Sequence, residues 1–476
     1  MKCRIIPVPK KVISGGEIVK TAPYIDCRKE EWLPMAEAFC ECMKKIYNIN
    51  FTYGAGGVEI ICDDSIEPEA YRLETGDAIR ITASGRQGCA YGLATAVQLL
   101  NEKLETEKIY IEDKPDKDYR GLMVDLARKW HPFATLLHYV DLCFFYKIKY
   151  LHLHFMDDQS YTLPSRAFPK LPTKNRAYSF SEIEKLKLYA QARGVVIVPE
   201  IEMPGHARSL NEAYPELFSD MLDENAAADL ITENGAVIDH KSIICAGSSV
   251  TFENIKKLID ETIELFPDTP YIHLGGDEAN IKVWQGCENC RRYMQEHNIA
   301  DVYELYCDFT AKVTDYVLEK GKTPIIWEGF PKKYADRISK DVIVIGWENY
   351  YQRADELIEA GYRVINCSWQ PLYVVPNAMA RWNVSDIMKW NVYEWQHWWE
   401  KSAAMLNPIH IAPTEQVIGA QLCAWEQTYE REIAFTAENI AALSERTWSV
   451  KRECNDSEFH DKLYVQSEKV FALIAE

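Results

Sequence analysis

Eight short apolar runs, mostly separated by longer segments of helical character, constrain the fold of this chain more than any other feature. The runs are rich in Val, Ile and Leu, and amphipathic stretches such as 181–194 and 250–266 stand between them. Such alternation predicts βα units and a parallel sheet. The runs cover 121–127, 149–155, 195–200, 271–276, 323–328, 342–347, 363–368 and 417–425.

The number of runs predicts the way in which the sheet is organised. Eight strands with helices between them favour a (β/α)8 TIM barrel. A doubly wound open sheet is the structural alternative, but no glycine-rich phosphate loop follows the first run. Residues 1–117 mix β-like runs with two helical stretches, and the charged, proline-broken segment 113–118 closes them. The sequence therefore predicts a small α+β domain over 1–117 and a catalytic barrel over 118–476.

Charge and composition limit the partners and the compartment. The 476 residues carry a formal net charge of −19, which disfavours nucleic acid and anionic membrane surfaces. No apolar run approaches the roughly 18 residues of a membrane helix, and the N-terminal segment does not resemble a signal peptide. Most of the 14 cysteines lie in apolar runs and are interpreted as reduced core residues. These features predict a cytoplasmic protein that acts as a monomer or homodimer.

Polar and aromatic side chains gather at the ends of the predicted strands. Barrel active sites lie at the carboxyl ends of the strands, so these side chains predict a carboxylate-rich cup lined by indole rings. Tryptophan offers a flat apolar face to the C–H face of a sugar, while carboxylates hydrogen-bond its hydroxyls. The residues concerned are Arg128, Asp157–Asp158, Glu200 with His206, Asp277–Glu278, Trp327–Glu328, Trp347–Glu348, Trp369 and Trp425–Glu426.

Two adjacent acids, Asp277 and Glu278, follow the fourth run. Cleavage of a glycosidic bond usually needs two carboxyl groups. Gly275 and Gly276 precede the acids and let the chain leave strand geometry, so that both acids can turn into the cup. The plain alternative for an isolated GGDE is a solvated acidic loop. A neighbouring carboxylate and an apolar cup predict a raised pKa for Glu278.

At HLGGDEAN the chain resembles the family 20 glycoside hydrolases, the β-N-acetylhexosaminidases. Further matching motifs extend over essentially the whole chain, and residues 1–115 look like the small domain that commonly precedes this barrel. The ordered set is highly specific. The motifs are RGLMVD at 120–125, LHLH at 151–154, DDQ at 157–159, PEIEMPGH at 199–206, HLGGDEAN at 273–280, ALSERTW at 442–448, and the tryptophans Trp327, Trp347 and Trp425.

The resemblance implies a substrate-assisted reaction on terminal β-linked GlcNAc or GalNAc, an exception to the two-carboxylate scheme. The acetamido oxygen of the substrate attacks the anomeric carbon and forms an oxazolinium intermediate. Glu278 is then the general acid and base, and Asp277 orients the acetamido group.

The remaining roles implied by the resemblance concern binding of the sugar. Arg120 is expected to hold the hydroxyls at positions 3 and 4, and Tyr373 to hydrogen-bond the acetamido oxygen. Asp157 and His206 are expected to support the acid. The tryptophans expected to line the pocket are Trp327, Trp347, Trp369 and Trp425.

Two departures from the family pattern affect the outer edge of the sugar. The family usually has Trp-x-Glu after strand eight, whereas Gln427 occupies that glutamate position here. Many members have an Asp or Asn two residues after the tyrosine, where this chain has Val375. The choice among GlcNAc, GalNAc and a 6-substituted sugar therefore stays open.

Other functions remain alternatives. A metal-dependent hydrolase is suggested by His152-x-His154 with His206 and His273, although barrel amidohydrolases carry that pair on strand one. Cys287-x-x-Cys290 is a weak zinc signal without a second pair. A carbohydrate-binding protein with an idle site is the third. The favoured interpretation needs no metal and no cofactor, and its partner is a glycan.

Overall fold

The computed structural model describes residues 4–219, 240–376, 382–451 and 455–475, and it contains two large sheets. The first is a mixed seven-stranded sheet, with Lys11–Lys20 and Thr52–Tyr53 at its edges. Helices Leu33–Tyr47 and Arg86–Leu99 belong to the same domain. The seven strands are Lys11–Lys20, Tyr24–Cys27, Thr52–Tyr53, Val58–Cys62, Tyr71–Thr75, Ile79–Ala83 and Glu105–Asp113.

Close packing of one helix fixes this small domain. Strand Ile79–Ala83 buries alternate side chains, as expected of a sheet with one covered face. A Cβ at Gly92, in helix Arg86–Leu99, would lie 2.3 Å from Cγ2 of Ile81. Glycine at this position therefore lets the helix approach the sheet.

The second sheet is a closed barrel of eight parallel strands, which we number β1 to β8. Each strand pairs in parallel with the next, and β8 pairs with both β7 and β1, so the ring is complete. All eight apolar runs form these strands, which confirms the predicted barrel and excludes the open sheet. The strands are β1 Tyr119–Asp125, β2 Tyr150–His154, β3 Val196–Glu200, β4 Tyr271–His273, β5 Thr323–Trp327, β6 Ile343–Gly346, β7 Arg363–Asn366 and β8 Val417–Ala424.

Helices and short strands fill the connections of the barrel. Sequence signals start several helices: Ser179 and Glu182 form a capping box, and Asp301 caps the helix at 302. Short strands pair at 156–157 with 160–161 and at 394–395 with 409–410, and Tyr373–Val374 adds to β8. The α-helices are Phe133–Phe145, Phe180–Gln191, Arg208–Ala213, Pro215–Phe218, Ser249–Leu265, Glu288–Glu296, Val302–Glu319, Ala354–Glu359, Trp369–Leu372, Val384–Lys389, Tyr429–Trp448 and Asp456–Leu473.

Aromatic rings close the amino-terminal end of the barrel interior. Tyr119 stacks on Tyr150 with ring centroids 4.6 Å apart, and Tyr271 packs 5.4 Å from Tyr150. All three side chains are buried. A ligand can therefore enter the barrel interior only from the carboxyl ends of the strands.

None of the helices in the described ranges combines the length and apolarity that a membrane crossing requires.

Candidate active site

A cavity of about 260 Å³ opens at the carboxyl ends of the barrel strands. Asp277 and Glu278 face it, as do the four predicted tryptophans and Tyr373. Asp157 and His206 lie directly behind the acids. Arg120 and Gln427, by contrast, are not part of its wall. The lining residues are Arg128, Asp277, Glu278, Trp327, Trp347, Trp369, Tyr373, Val375, Pro376, Trp398, Trp425 and Glu426.

The backbone after β4 turns both acids into this cavity. Gly275 and Gly276 have φ of +67° and +107°, and Glu278 itself has φ of +47°. A Cβ at Gly275 would fall 1.6 Å from the carboxylate of Glu202, so no other residue fits there. Asp277 is buried, whereas the side chain of Glu278 is half exposed. The short acidic segment is therefore a shaped part of the pocket and not a solvated loop.

A row of charged side chains lies behind Glu278. His206 places Nε2 3.4 Å from Oε2 of Glu278 and 3.6 Å from Oδ2 of Asp277. Its Nδ1 lies 3.4 Å from Oδ1 of Asp157, and Oδ2 of the same carboxylate pairs with Nη2 of Arg128 at 2.8 Å. His206 and Asp157 thus lie next to the acid, and their supporting role stays a prediction.

Charges in this row set the protonation of its members. Burial lowers the pKa of His206, but hydrogen bonds to Asp157 and Glu278 outweigh burial and raise it well above its usual value. The hydrogen bond from His206 lowers the pKa of Glu278. Burial raises the pKa of Asp277 to about 6. These shifts favour a protonated imidazole beside an ionised Glu278.

The prediction of a raised pKa for Glu278 is wrong, because its pKa is lowered. The neighbouring carboxylate and the apolar wall were expected to raise it, but the hydrogen bond from His206 acts more strongly. The raised pKa belongs to Asp277, which is the more deeply buried of the two acids.

Hydrogen bonds and ring contacts hold the aromatic wall rigid. Trp327 donates Nε1–H to Oε1 of Glu200 at 2.6 Å, and Trp347 donates to the carbonyl oxygen of Glu328 at 3.0 Å. Tyr373 is stacked between Trp347 and Trp369, with centroid distances of 6.2 and 4.5 Å. Burial raises the pKa of Tyr373 well above its usual value, so its hydroxyl stays a hydrogen-bond donor. The wall is therefore preorganised for a flat ring.

Arg120 lies far from this wall, which contradicts its assignment to the sugar. It enters β1 at the amino-terminal end, is fully buried and donates Nε–H to the carbonyl oxygen of Lys147 at 3.2 Å. Its guanidinium also contacts the Tyr91 hydroxyl and lies 3.4 Å from Glu69 in the small domain. Arg120 therefore joins the two domains.

Arg128 is the arginine that lines the pocket. It follows the carboxyl end of β1, its guanidinium lies 4.9 Å from the ring centroid of Trp425, and it pairs with Asp157. The sequence pattern had placed Arg128 among the strand-end residues, whereas the family motif drew attention to Arg120. Strand direction was the signal that separates the two, because only the carboxyl end faces the site.

Gln427 is also misplaced by the sequence prediction, and Glu426 takes its place. Glu426 has φ of +59°, which turns its half-exposed carboxylate into the cavity, 3.8 Å from Nε of Arg128. Gln427 is buried behind the wall, with its carbonyl oxygen 3.2 Å from Nε2 of His131. The pocket therefore keeps a glutamate at this edge, one position earlier in the chain. Val375 lines the cavity.

We expect the two arginines to respond differently to substitution. Arg120→Met should lower the free energy of unfolding by about 3 kcal/mol, because the buried carbonyl oxygens of Lys117 and Lys147 and the Tyr91 hydroxyl lose their donor, and leave KM unchanged. Arg128→Met should lower kcat/KM roughly 10- to 100-fold, the cost of about 1.5–3 kcal/mol for a hydrogen bond to a charged group. Denaturant unfolding and steady-state kinetics measure both. A raised KM in Arg120→Met would return that residue to the site.

Three of the histidines that suggested a metal-dependent hydrolase, His152, His154 and His273, form a buried layer with Glu200 beneath the pocket, whereas His206 lies beside Glu278. Glu200 accepts a hydrogen bond from Trp327 on Oε1, which also lies 2.8 Å from Nδ1 of His273, and Nε2 of His152 lies 3.0 Å from Oε2. Protein side chains thus surround both carboxylate oxygens, and Trp327 separates the layer from the cavity. The layer fixes Trp327 in position.

The closed barrel and its tryptophan-lined acid pair have the architecture of the TIM-barrel glycoside hydrolases. The description "Glycosyl hydrolase family 20, catalytic domain" matches residues 118–451. "Glycosyl hydrolase family 20, domain 2" matches residues 2–114. The chain belongs to glycosyl hydrolase family 20.

Named relatives agree with this membership. A β-hexosaminidase of Akkermansia muciniphila is 34% identical over 286 residues, covering 55% of this chain and 56% of that protein. The match thus spans little more than half of that relative. The β-hexosaminidase subunit beta of Entamoeba histolytica is 28% identical over 425 residues, covering 83% and 71% of the two chains.

Solved structures share the fold. The GH20 exo β-N-acetylglucosaminidase of Vibrio harveyi, in complex with N-acetylglucosamine, superposes with a TM-score of 0.83 at 20% identity. The superposition covers 99% of this chain and 77% of that one. A β-N-acetylhexosaminidase of Bacteroides fragilis gives a TM-score of 0.78 at 22% identity over 97% of this chain and 94% of its own.

Proposed function

We propose that the chain is an exo-acting β-N-acetylhexosaminidase, which removes terminal β-linked GlcNAc, GalNAc or both. The observation that carries this proposal is the pair Asp277–Glu278 on one side of a tryptophan-lined pocket, with His206 behind the acid. Membership of family 20 and the names of the relatives support it.

The form of the cavity supports attack at the end of a glycan chain. About 260 Å³ is smaller than the sites of drug-sized ligands and suits one sugar residue. Trp327 lies over the buried histidine layer, and the tyrosine rings close the barrel below that layer. The pocket is therefore closed at its inner end and admits only a terminal residue.

The two acids suit a substrate-assisted, retaining reaction. Asp277, when ionised, accepts a hydrogen bond from the acetamido N–H and turns the acetamido oxygen towards the anomeric carbon. That oxygen forms the new bond as the glycosidic C–O bond breaks, and Glu278 gives its proton to the departing oxygen. Glu278 then takes a proton from water, which opens the oxazolinium with overall retention.

His206 supplies the proton that Glu278 needs to act as the general acid. A sugar in the pocket displaces water from the half-exposed carboxylate of Glu278, and desolvation favours its neutral form. The protonated imidazole is 3.4 Å away and can transfer its proton to Oε2. Asp157 keeps the imidazole oriented throughout.

The decisive experiment compares initial rates on aryl β-GlcNAc, aryl β-GalNAc and aryl β-glucose. The proposal requires cleavage of an acetamido sugar and at least about 100-fold slower cleavage of glucose, which has no internal nucleophile. Equal cleavage of glucose would contradict substrate assistance. Cleavage of none, with GlcNAc binding retained in calorimetry, would establish the alternative of a binding protein with an idle site.

We expect kcat/KM to fall on the acidic side of about pH 6, because Asp277 must be ionised and its pKa is raised to about 6. The loss should be tenfold per pH unit, and the midpoint belongs to the coupled pair Asp277–Glu278. A profile of kcat/KM from pH 4 to 8 measures it. A flat profile down to about pH 4.5 would show that Asp277 acts in its neutral form.

We expect Glu426 to contribute to sugar selection and Gln427 to make no contribution. Glu426→Gln should lower kcat/KM about 10- to 100-fold on the preferred sugar, because a charged hydrogen-bond acceptor at the pocket edge is lost. Gln427→Met is the matched control and should leave the GlcNAc to GalNAc ratio unchanged. A shift of that ratio in Gln427→Met alone would restore the original assignment.

A further inference from the structure

Three cysteine side chains from two separate segments meet beside the active-site loops. Cys245 precedes helix Ser249–Leu265, and Cys287 and Cys290 lie at the start of helix Glu288–Glu296. Sγ of Cys245 is 3.5 Å from Sγ of Cys287 and 3.7 Å from Sγ of Cys290. All three side chains are buried. The weak CxxC signal of the sequence thus gains a third thiol from 42 residues upstream.

The separations suit three thiolates around one metal ion. A disulfide would bring two sulfurs to about 2.05 Å, well below the observed distances. Sulfurs bound at about 2.3 Å to a tetrahedral zinc ion lie about 3.8 Å from one another. Two of the sulfur separations match this spacing, and all three sulfurs lie within 4.8 Å of one another.

The surrounding backbone favours thiolates at this point. The amide of Cys290 donates to Sγ of Cys287 at 3.3 Å, and Cys287 caps a helix whose positive end favours negative charge. A Cβ at Gly247 would fall 2.5 Å from the backbone of Cys290, so glycine permits the close approach of the two segments. Supporting hydrogen bonds to the donor atoms are a general feature of protein metal sites.

We propose that Cys245, Cys287 and Cys290 bind one zinc ion. Soft sulfur donors select zinc, copper(I) or iron, and a buried set of thiolates around a tetrahedral centre is typical of structural zinc. Each thiol must lose its proton when the metal binds. Within the described ranges this donor group consists of the three cysteines.

The position of the cluster assigns the metal a structural role in the active site. The amide of Ile244 donates to the carbonyl oxygen of Pro204 at 3.0 Å, two residues before His206. Trp284 donates Nε1–H to the carbonyl oxygen of Ile244 at 2.9 Å and lies on the segment that follows Glu278. Zinc would therefore join the loop of His206 to the loop of the acid. This role does not depend on which sugar the pocket takes.

Elemental analysis of untagged protein, purified without chelator, tests the proposal. We expect one zinc per chain in the wild type and loss of at least nine-tenths of it in Cys245→Ser, Cys287→Ser and Cys290→Ser. Cys143→Ser is the matched control, because that thiol is equally buried and is not part of the cluster. It should retain the full zinc content.

A second measurement covers variants that fail to fold. Mercurial titration of the folded wild type should release one zinc per chain, and cobalt added to the zinc-free protein should give thiolate-to-cobalt charge-transfer absorption. Zinc-free wild type that takes up neither metal after dialysis against zinc or cobalt would overturn the proposal. Full zinc content in a folded cysteine variant would overturn it equally.

Discussion

Glu278→Gln should lower kcat about 10²- to 10⁴-fold on substrates whose leaving alcohol needs a proton. Glutamine keeps the volume of the side chain but cannot give a proton to the glycosidic oxygen. On aryl substrates with acidic phenols the first step needs less proton transfer, so the loss there should be smaller. Binding of GlcNAc should change little, because the aromatic wall and Asp277 remain.

The experiment compares a series of aryl β-GlcNAc substrates whose phenols span a range of pKa. A steep dependence of kcat on the phenol pKa in Glu278→Gln, against a shallow one in the wild type, identifies the general acid. Glu296→Gln alters a solvent-exposed glutamate on a peripheral helix and serves as the control. Wild-type activity in Glu278→Gln on poor leaving groups would remove Glu278 from the mechanism.

The sequence was sufficient to predict the barrel because strands, helix ends and turns are specified by local residues. Strand runs, helix caps and turns each depend on a few neighbouring residues, and the barrel follows from their number and order. The side of the barrel that carries the site also follows from strand direction. The positions of Asp277, Glu278 and the four tryptophans around the cavity could thus be predicted from the sequence.

The errors arose where a role depends on backbone direction or on distant contacts. Arg120 lies at the start of β1 and Arg128 follows its end, and only this difference in position distinguishes the roles of the two arginines. The left-handed conformation of Glu426 moves the glutamate into the pocket one position early, which no residue count reveals. Contacts between residues far apart in the sequence explain the other two differences. His206, 72 positions earlier, lowers the pKa of Glu278. Cys245 joins the cysteine cluster that the CxxC pair alone only suggested.

Asp277→Asn should raise the stability of the fold and lower the catalytic rate. The fold holds the pKa of Asp277 at about 6, above its ordinary value of 3.8, because the side chain is buried. An acid with a raised folded-state pKa stabilises the fold only while it is protonated, and that contribution is lost as the pH rises through about 6. At pH 7 the ionised carboxylate therefore destabilises the protein, by roughly 2–3 kcal/mol.

Asparagine removes this cost and with it the negative charge that the acetamido group needs as the oxazolinium forms. We expect Asp277→Asn to unfold at a higher temperature at pH 7 than the wild type. Its kcat on aryl β-GlcNAc should fall about 10²- to 10³-fold, the usual loss when one charge-stabilising group is removed. The acidic limb near pH 6 should disappear with the carboxyl group.

Progressive fluorination of the acetamido methyl tests the role of Asp277 directly, because each fluorine weakens the acetamido oxygen as a nucleophile. The wild-type rate should fall steeply along the series, and the rate of Asp277→Asn should fall less, because that variant no longer assists the attack. Calorimetric unfolding at pH 4.5 and 7 supplies the control. The gain in stability should be full at pH 7 and fall to about one third of that at pH 4.5, where folded Asp277 is neutral but the unfolded carboxyl, with its ordinary pKa of 3.8, is still mostly ionised. Lost activity without the pH-dependent gain in stability would mean that the substitution distorts the pocket. Lost activity together with that gain would show that ionised Asp277 lowers the stability of the fold and is needed for the reaction.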